Sequence, residues 1–310
     1  MHTSVDANTA SQFNKKSQWK IWWKLTRPHT LSASFAPVFI GTALALHYGE
    51  INWLLFFAML LATLIIQAAT NMFNEYYDHR SGLDNEHSVG IGGAIVRDGV
   101  APKKVLSTAF TLYGIAIVIG IYICISSSWW LAAVGLISMA VGYLYNGGPY
   151  PISYTPFGEV FAGLFMGMLI ILISFYIQTG YVSLLSVIVA TPIAILVGAI
   201  LLSNSIRDID EDTEAGRKTL AILLGRKKAI NILAGMFIIA YLWVLILMVI
   251  HILSPWSLLI IFSLPFPIKA VTGFIGKKTP VQMVPAMKAT AQTNQVFGIL
   301  LAISLFCSYL

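Results

Sequence analysis

The sequence predicts an all-α membrane protein of about nine transmembrane helices, and three observations predict it. Apolar residues make up 57% of the chain and charged residues only 10%, where a soluble domain carries about 25% charged. Windows of roughly 20 apolar residues, long enough to cross a bilayer as a helix, recur nine times. The 19 Lys and Arg all sort to one side of those windows, which is how membrane topology is written in sequence.

In chain order, residues 1–18 are polar, have no apolar signal-peptide core, and read as a disordered tail ahead of a single transmembrane domain, 19–310. "WKIWWKLTRPHT" (19–30) mixes Trp with Lys and Arg, which suits an interfacial helix anchored by Trp22 and Trp23 at the headgroups. Spans follow near 29–48, 52–73, 104–125, 129–146, 157–178, 181–203, 229–250, 255–275 and 291–309. The segments 1–28, 74–103, 147–156, 204–228 and 276–290 hold the positive charges, with Lys269 placed in the last turns of its span, and the opposite links hold none. The N-terminus and these segments are therefore expected in the cytoplasm, with the chain multi-pass in the cell membrane. The net charge of +6 is then a topological signal, with some attraction to anionic lipid, and not a nucleic-acid footprint. Cys124 and Cys307 lie in spans without partner spacing and read as packing residues. Small residues in "GLFMGMLI" (163–170) and "LVGAILLSNS" (196–205) predict close helix crossings.

Most of the 13 acidic residues crowd into two of the inside segments. In "NMFNEYYDHRSGLD" (71–84), Asn74 and Asp78 are one helical turn apart at the end of the second span; beyond the sixth span, Asn204, Asp208 and Asp212 repeat the step at i, i+4 and i+8. On helices these side chains share a face, and like charges so placed repel unless a cation lies between them. Hard oxygen donors without His or Cys favour Mg²⁺, which binds one or two carboxylates together with phosphate oxygens. Positive charge for a phosphate is at hand in Arg97, Lys103, Lys104, Arg207, Arg217 and Lys218. Arg97 belongs to a glycine-rich stretch, 88–99, readable as an anion cradle or lid or as a mobile loop. A cation-coupled transporter is an alternative of another class, but it expects charge near the midplane, whereas these acids sit at the inside ends of the spans.

With these motifs in place, the chain resembles the UbiA superfamily of intramembrane aromatic prenyltransferases. "RPHTLSASFAPVFIG", "NMFNEYYDHRSGLD", "GIGGAIVRDG", "YLYNGGPYPISYTPFGE" and "NSIRDIDEDTEAGRKTLAILLG" resemble in particular its menaquinone branch of the Bacillus type. The resemblance implies helices around a central cavity that opens to the cytoplasmic side. It also implies transfer of a polyprenyl group from polyprenyl diphosphate to 1,4-dihydroxy-2-naphthoate with loss of CO₂; a UbiA-type enzyme acting on 4-hydroxybenzoate or homogentisate is the alternative. Asp78, Asp208 and Asp212 are then the expected catalytic residues. Asn74, Asp78, Asp84, Asp208 and Asp212 are the expected Mg²⁺ ligands. Asn71, Asn74, Arg97, Lys103, Tyr143, Tyr145, Asn204, Arg207 and Lys218 are expected to contact substrate. The superfamily pattern has an acid four residues after Asp78, where this chain has Gly82, and the nearest acid is Asp84. Glu75 stands where many relatives have Asp.

Overall fold

The computed structural model describes residues 18–84 and 93–310, apart from the side chains of His29, Ser32 and Ala33. Residues 1–17 of the expected 1–18 tail lie outside the described residues, as do 85–92, which include 88–92 of the glycine-rich stretch 88–99. A helix over 18–25 leads in, with Trp22 and Ile21 packed inward and Trp19 and Trp23 exposed. It is followed by α1 (Pro28–Ala45), α2 (Trp53–Arg80), α3 (Pro102–Ser126), α4 (Trp130–Leu144), α5 (Gly158–Thr179) and α6 (Leu184–Arg207). Two short helices, α7 (Ile209–Glu214) and α8 (Leu220–Leu224), precede α9 (Arg226–Val249), α10 (Pro255–Phe274) and α11 (Pro280–Tyr309). Among the described residues there is no strand.

Seven of these helices are long and apolar enough to cross a membrane, which makes this a multi-pass membrane protein. The two other expected spans are present as shorter apolar helices, Ser34–Tyr48 and Trp130–Leu144. At 1.5 Å per residue the 15 residues of α4 reach about 22 Å, short of the ~30 Å hydrocarbon core.

Hydropathy located the spans and misjudged some helix ends. The second helix continues past the expected 73 to Arg80, and α11 begins at Pro280 instead of near 291. The first turns of α11 expose Val281, Gln282, Pro285 and Lys288, while Met283, Ala286 and Met287 are buried beside the neighbouring α10. Tertiary burial, not lipid, stabilises that stretch.

The largest core joins α1, α5, α6, α9, α10 and α11, while a smaller aromatic core joins α2, α3 and α4. Close crossings follow the small residues. A Cβ at Gly163 would lie 2.5 Å from the Ala194 carbonyl oxygen, and one at Gly167 would lie 2.6 Å from the Ala194 Cα, so only glycine lets α5 approach α6 there. Those two glycines fall in a π-helical turn, Gly163–Met168, the kind of wide turn that helices adopt near functional sites. Its far side faces a cavity between the two cores.

Candidate active site

That cavity has a volume of about 560 Å³ and is chemically divided. Asn74, Asp78, Asp84, Asn204, Asp208 and Asp212 line one end; Ala116, Gly120, Cys124, Leu131, Gly135 and Ile173 line the other.

The polar end starts from α2. Thr63, Gln67, Asn71, Asn74 and Asp78 recur three or four residues apart and all line the cavity, so one stripe of the helix is polar through a largely apolar segment. Asn71 ties this stripe to the start of α1, donating from Nδ2 to the Thr26 carbonyl at 2.8 Å and to Thr30 Oγ1 at 2.9 Å. Gln67 continues the chain of hydrogen bonds to Asn71 at 3.3 Å and accepts from Ser34 at 3.1 Å. Just before α1, Arg27 has φ 49°, the left-handed region, which a non-glycine residue occupies at a cost of roughly 1–2 kcal/mol. The strain is held by an ion pair from Arg27 Nη2 to Glu75 Oε2 at 3.5 Å, and it sets Arg27 in the cavity wall.

Past Arg80 the chain reverses. Gly82 has φ 79°, a conformation glycine takes without penalty, and the Asp84 N–H then bonds back to the Asp78 carbonyl at 3.1 Å. The turn returns Asp84 to the cavity wall, two residues later in sequence than the superfamily pattern has its acid. Burial, with the charges of Asp78 and Glu75 nearby, pushes the Asp84 carboxyl up to about 6.

The second motif is interrupted. The sixth span ends at Arg207, Asp208 leaves the helix at φ −97°, ψ 12°, and α7 starts at Ile209. Asn204, Asp208 and Asp212 therefore do not ride one continuous helix, as their spacing predicts. Backbone bonds from Asp208 N–H to the Asn204 carbonyl (3.0 Å) and from Asp212 N–H to the Asp208 carbonyl (2.8 Å) preserve the step, and all three line the cavity. Arg207 grips Asp208 with both arms, Nε to Oδ1 at 2.5 Å and Nη2 to Oδ2 at 2.6 Å. Burial raises the Asp212 carboxyl to about 6, against the lowering effect of Arg217.

Arg217 joins the two motifs. It donates from Nη2 to Asp78 Oδ1 and from Nη1 to Asp212 Oδ1, each at 3.0 Å, and its guanidinium lies over the Tyr154 ring, 4.9 Å from the centroid. Burial works to lower the Arg217 pKa, and the Asp78 and Asp212 charges outweigh it and hold it above its ordinary value.

Of the residues expected to bind substrate or metal, Asn71, Asn74, Asp78, Asp84, Tyr145, Asn204, Arg207, Asp208 and Asp212 all line this cavity. Four others do not. Lys103 and Lys218 are exposed, and the Lys218 backbone N–H bonds the Tyr154 carbonyl at 2.9 Å. Exposed Arg97 lies over Gly93, in a turn outside the cavity lining. Tyr143 hydrogen-bonds Tyr77 at 2.5 Å within the ring cluster of Phe73 and Phe110. Conversely, Arg27 and Gln67 line the cavity without having been singled out, and so does Arg217, which was expected only as part of the positive charge available to a phosphate. The four-residue polar step from Thr63 through Gln67 to Asn71 was the available signal for Gln67. Adjacent Arg217 and Lys218 offered nothing to choose between them.

Among the described residues, no three His, Cys, Asp or Glu side chains converge tightly enough to hold a metal unaided; the carboxylates of Asp78, Asp208 and Asp212 are engaged by arginines instead.

The model of the UbiA prenyltransferase family matches residues 34–283. The chain belongs to that family. It is 57% identical over 304 residues to the 1,4-dihydroxy-2-naphthoate octaprenyltransferase of Bacillus subtilis, covering 98% of this chain and 97% of the relative. To the Haemophilus influenzae protein of the same name it is 26% identical, covering 92% of this chain and 96% of the relative. Among solved structures, an apo UbiA homolog from Aeropyrum pernix superposes with a TM-score of 0.67 at 15% identity, covering 90% and 98% of the two chains. A UbiA homolog from Archaeoglobus fulgidus, bound to GPP and Mg²⁺, gives 0.65 at 14% identity, covering 93% and 99%. The UbiA fold of this chain is thus shared with proteins of little sequence likeness, while the Bacillus protein matches it from end to end.

Proposed function

We propose that this UbiA protein transfers a polyprenyl group from polyprenyl diphosphate to 1,4-dihydroxy-2-naphthoate, releasing diphosphate and CO₂ and giving demethylmenaquinol, in a Mg²⁺-dependent reaction. The observation that carries the reading is 57% identity to a 1,4-dihydroxy-2-naphthoate octaprenyltransferase across 98% of the chain. The divided cavity supports it, since an acidic end and an apolar arm match a diphosphate head and a hydrocarbon tail. With all its Lys and Arg on the side of the motif loops, the site faces the cytoplasm and the chain lies in the cell membrane.

The donor set fits a hard divalent cation. Asn74, Asp78, Asp84, Asn204, Asp208 and Asp212 offer only oxygen ligands, amide or carboxylate, at one end of the cavity, and Arg217 already places a positive charge between two of them. Incomplete closure of the set suits Mg²⁺, which completes its shell with substrate phosphate oxygens and water. When bound, the metal neutralises charge developing on the departing diphosphate. Asp78, Asp208 and Asp212 would hold it there, with Asn74, Asn204 and Asp84 beside them. Arg207, fixed on Asp208, keeps that carboxylate aimed at the cavity. Tyr145 presents a ring at the wall, where an aromatic face stabilises allylic cationic charge. The apolar arm excludes water from that cation.

The test is purified protein with Mg²⁺, a polyprenyl diphosphate and a panel of aromatic acceptors. Demethylmenaquinol and CO₂ should form with the naphthoate, and EDTA, Asp78→Ala and Asp208→Ala should each abolish product. Prenylation of 4-hydroxybenzoate with the naphthoate ignored would overturn the acceptor. Undiminished turnover in the aspartate variants would overturn the metal assignment.

A further inference from the structure

We propose that Arg217 is a built-in counter-ion standing between Asp78 and Asp212 in the place of a divalent cation, so that metal binds weakly until diphosphate draws the guanidinium away. The inference rests on the prenyl-diphosphate reading above.

Three observations carry it. Arg217 bonds the acids of both motifs at 3.0 Å, so its guanidinium already supplies the positive charge that keeps these carboxylates together. A metal arriving alone has to break two charge-assisted bonds, which are the strong kind, and leaves a buried guanidinium beside a dication. Secondly, the Nε of Arg217 is buried without a hydrogen-bond partner, as is the Oγ of Ser153, and both residues line the cavity. These are donors awaiting an acceptor, and diphosphate oxygens are acceptors that a guanidinium fork matches in pairs. Thirdly, the other two arginines of the cavity wall are committed elsewhere: Arg207 spends Nε and Nη2 on Asp208 and Nη1 on Met287 Sδ, and Arg27 pairs with Glu75. Among the described arginines of the cavity wall, Arg217 combines a donor without a partner with a bridge between the motifs.

A static latch, the competing account, reverses the sign. If Arg217 merely fastened the two motif loops, its removal would loosen the carboxylates and weaken metal binding. If it stands in for the metal, its removal empties the place and strengthens binding.

The experiment measures protein-bound Mn²⁺ by electron paramagnetic resonance in nanodiscs for wild type, Arg217→Gln and Arg217→Lys, alone and with inorganic pyrophosphate. Without pyrophosphate, Arg217→Gln should bind Mn²⁺ at least about tenfold more tightly than wild type, because a competing cation is gone. Arg217→Lys, a point charge that cannot bridge two acids as a fork does, should fall between; it carries the same test if the Gln variant does not fold. Adding pyrophosphate should tighten Mn²⁺ on wild type far more than on Arg217→Gln. Metal binding that is unchanged or weaker in both variants overturns the inference; pyrophosphate-dependent Mn²⁺ binding that disappears in Asp208→Asn would then still uphold the diphosphate site itself. Absence of bound Mn²⁺ from every protein in both conditions overturns the inference and the reading beneath it together.

Discussion

The Glu75 carboxylate accepts the backbone N–H of Gly93 at 2.7 Å, joining the middle of the first motif to the far side of the loop that follows it. The same oxygen accepts from Ile95 at 3.3 Å, and the other carboxylate oxygen meets Arg27 at 3.5 Å. Glu75 is therefore a buried brace directed away from the cavity, although it lies between Asn74 and Asp78 in sequence. Removing one partner of a buried, hydrogen-bonded charge pair costs roughly 3 kcal/mol, so Glu75→Ala should lower the thermal midpoint measurably in detergent. It should also release Arg27 from its strained geometry and raise the KM for the prenyl diphosphate. An unchanged melting temperature with lost metal binding would instead make Glu75 a ligand.

Gly82 and Asp84 make a second pair. The positive φ of Gly82 folds Asp84 back toward Asp78, and a Cβ added at Gly82 meets no atom within 4 Å. Gly82→Ala should therefore cost about 1 kcal/mol through backbone strain alone and shift Asp84 away from the cavity. The Mg²⁺ concentration at half-maximal activity should rise several-fold. Asparagine, which tolerates the left-handed region better than alanine, should recover part of the loss. Equal metal dependence in all three proteins would remove Asp84 from the ligand set.

How far the sequence foretold this site depends on the kind of signal. The Asn-to-Asp steps were legible because helical periodicity is local, and they locate the cavity's acidic end. The break at Asp208 was not legible, since nothing in "NSIRDIDEDTEAG" forbids helix, and the departure accompanies a tertiary arrangement of Arg207, Arg217 and Asp78. Choosing Arg217 over Lys218, or Tyr145 over Tyr143, as a cavity residue needs the direction of a side chain, which composition does not encode. Helix α11 extended beyond its hydropathy window for a related reason: its first turns are stabilised by contact with α10, and such burial is invisible to a lipid-transfer scale.

The pKa directions yield a prediction with a definite sign. Asp84 and Asp212 are both raised to about 6 by burial, above the ~3.9 of an unfolded aspartate. Between those values the metal-free folded state binds more protons than the unfolded chain, so its stability falls as pH rises through that window. Metal binding requires the ionised carboxylates and must displace those protons. Mg²⁺ affinity should therefore weaken steeply as pH falls through 6, and binding should release protons near that pH. Titration calorimetry in two buffers of different ionisation enthalpy checks this. Affinity constant from pH 7 down to 5 would contradict it.

The apolar arm makes the final prediction, because its walls decide what the cavity can hold beyond the diphosphate. Gly135 of α4 lines that arm, and a Cβ built there meets nothing within 4 Å. A substitution there meets no clash at its Cβ, and a large side chain occupies room that a long tail needs. Each methylene kept out of apolar surroundings forfeits about 0.8 kcal/mol, so displacing two of them costs about tenfold in binding. Gly135→Phe should cut kcat/KM by at least about that factor for donors of several isoprene units, while geranyl diphosphate, too short to reach the arm, is used nearly as well as by wild type. A donor series assayed at saturating acceptor distinguishes the outcomes. A loss that grows with chain length places the tail against α4 between α3 and α5; a uniform loss for all donors means that the substitution acts on the diphosphate end or on folding, and that the tail runs elsewhere.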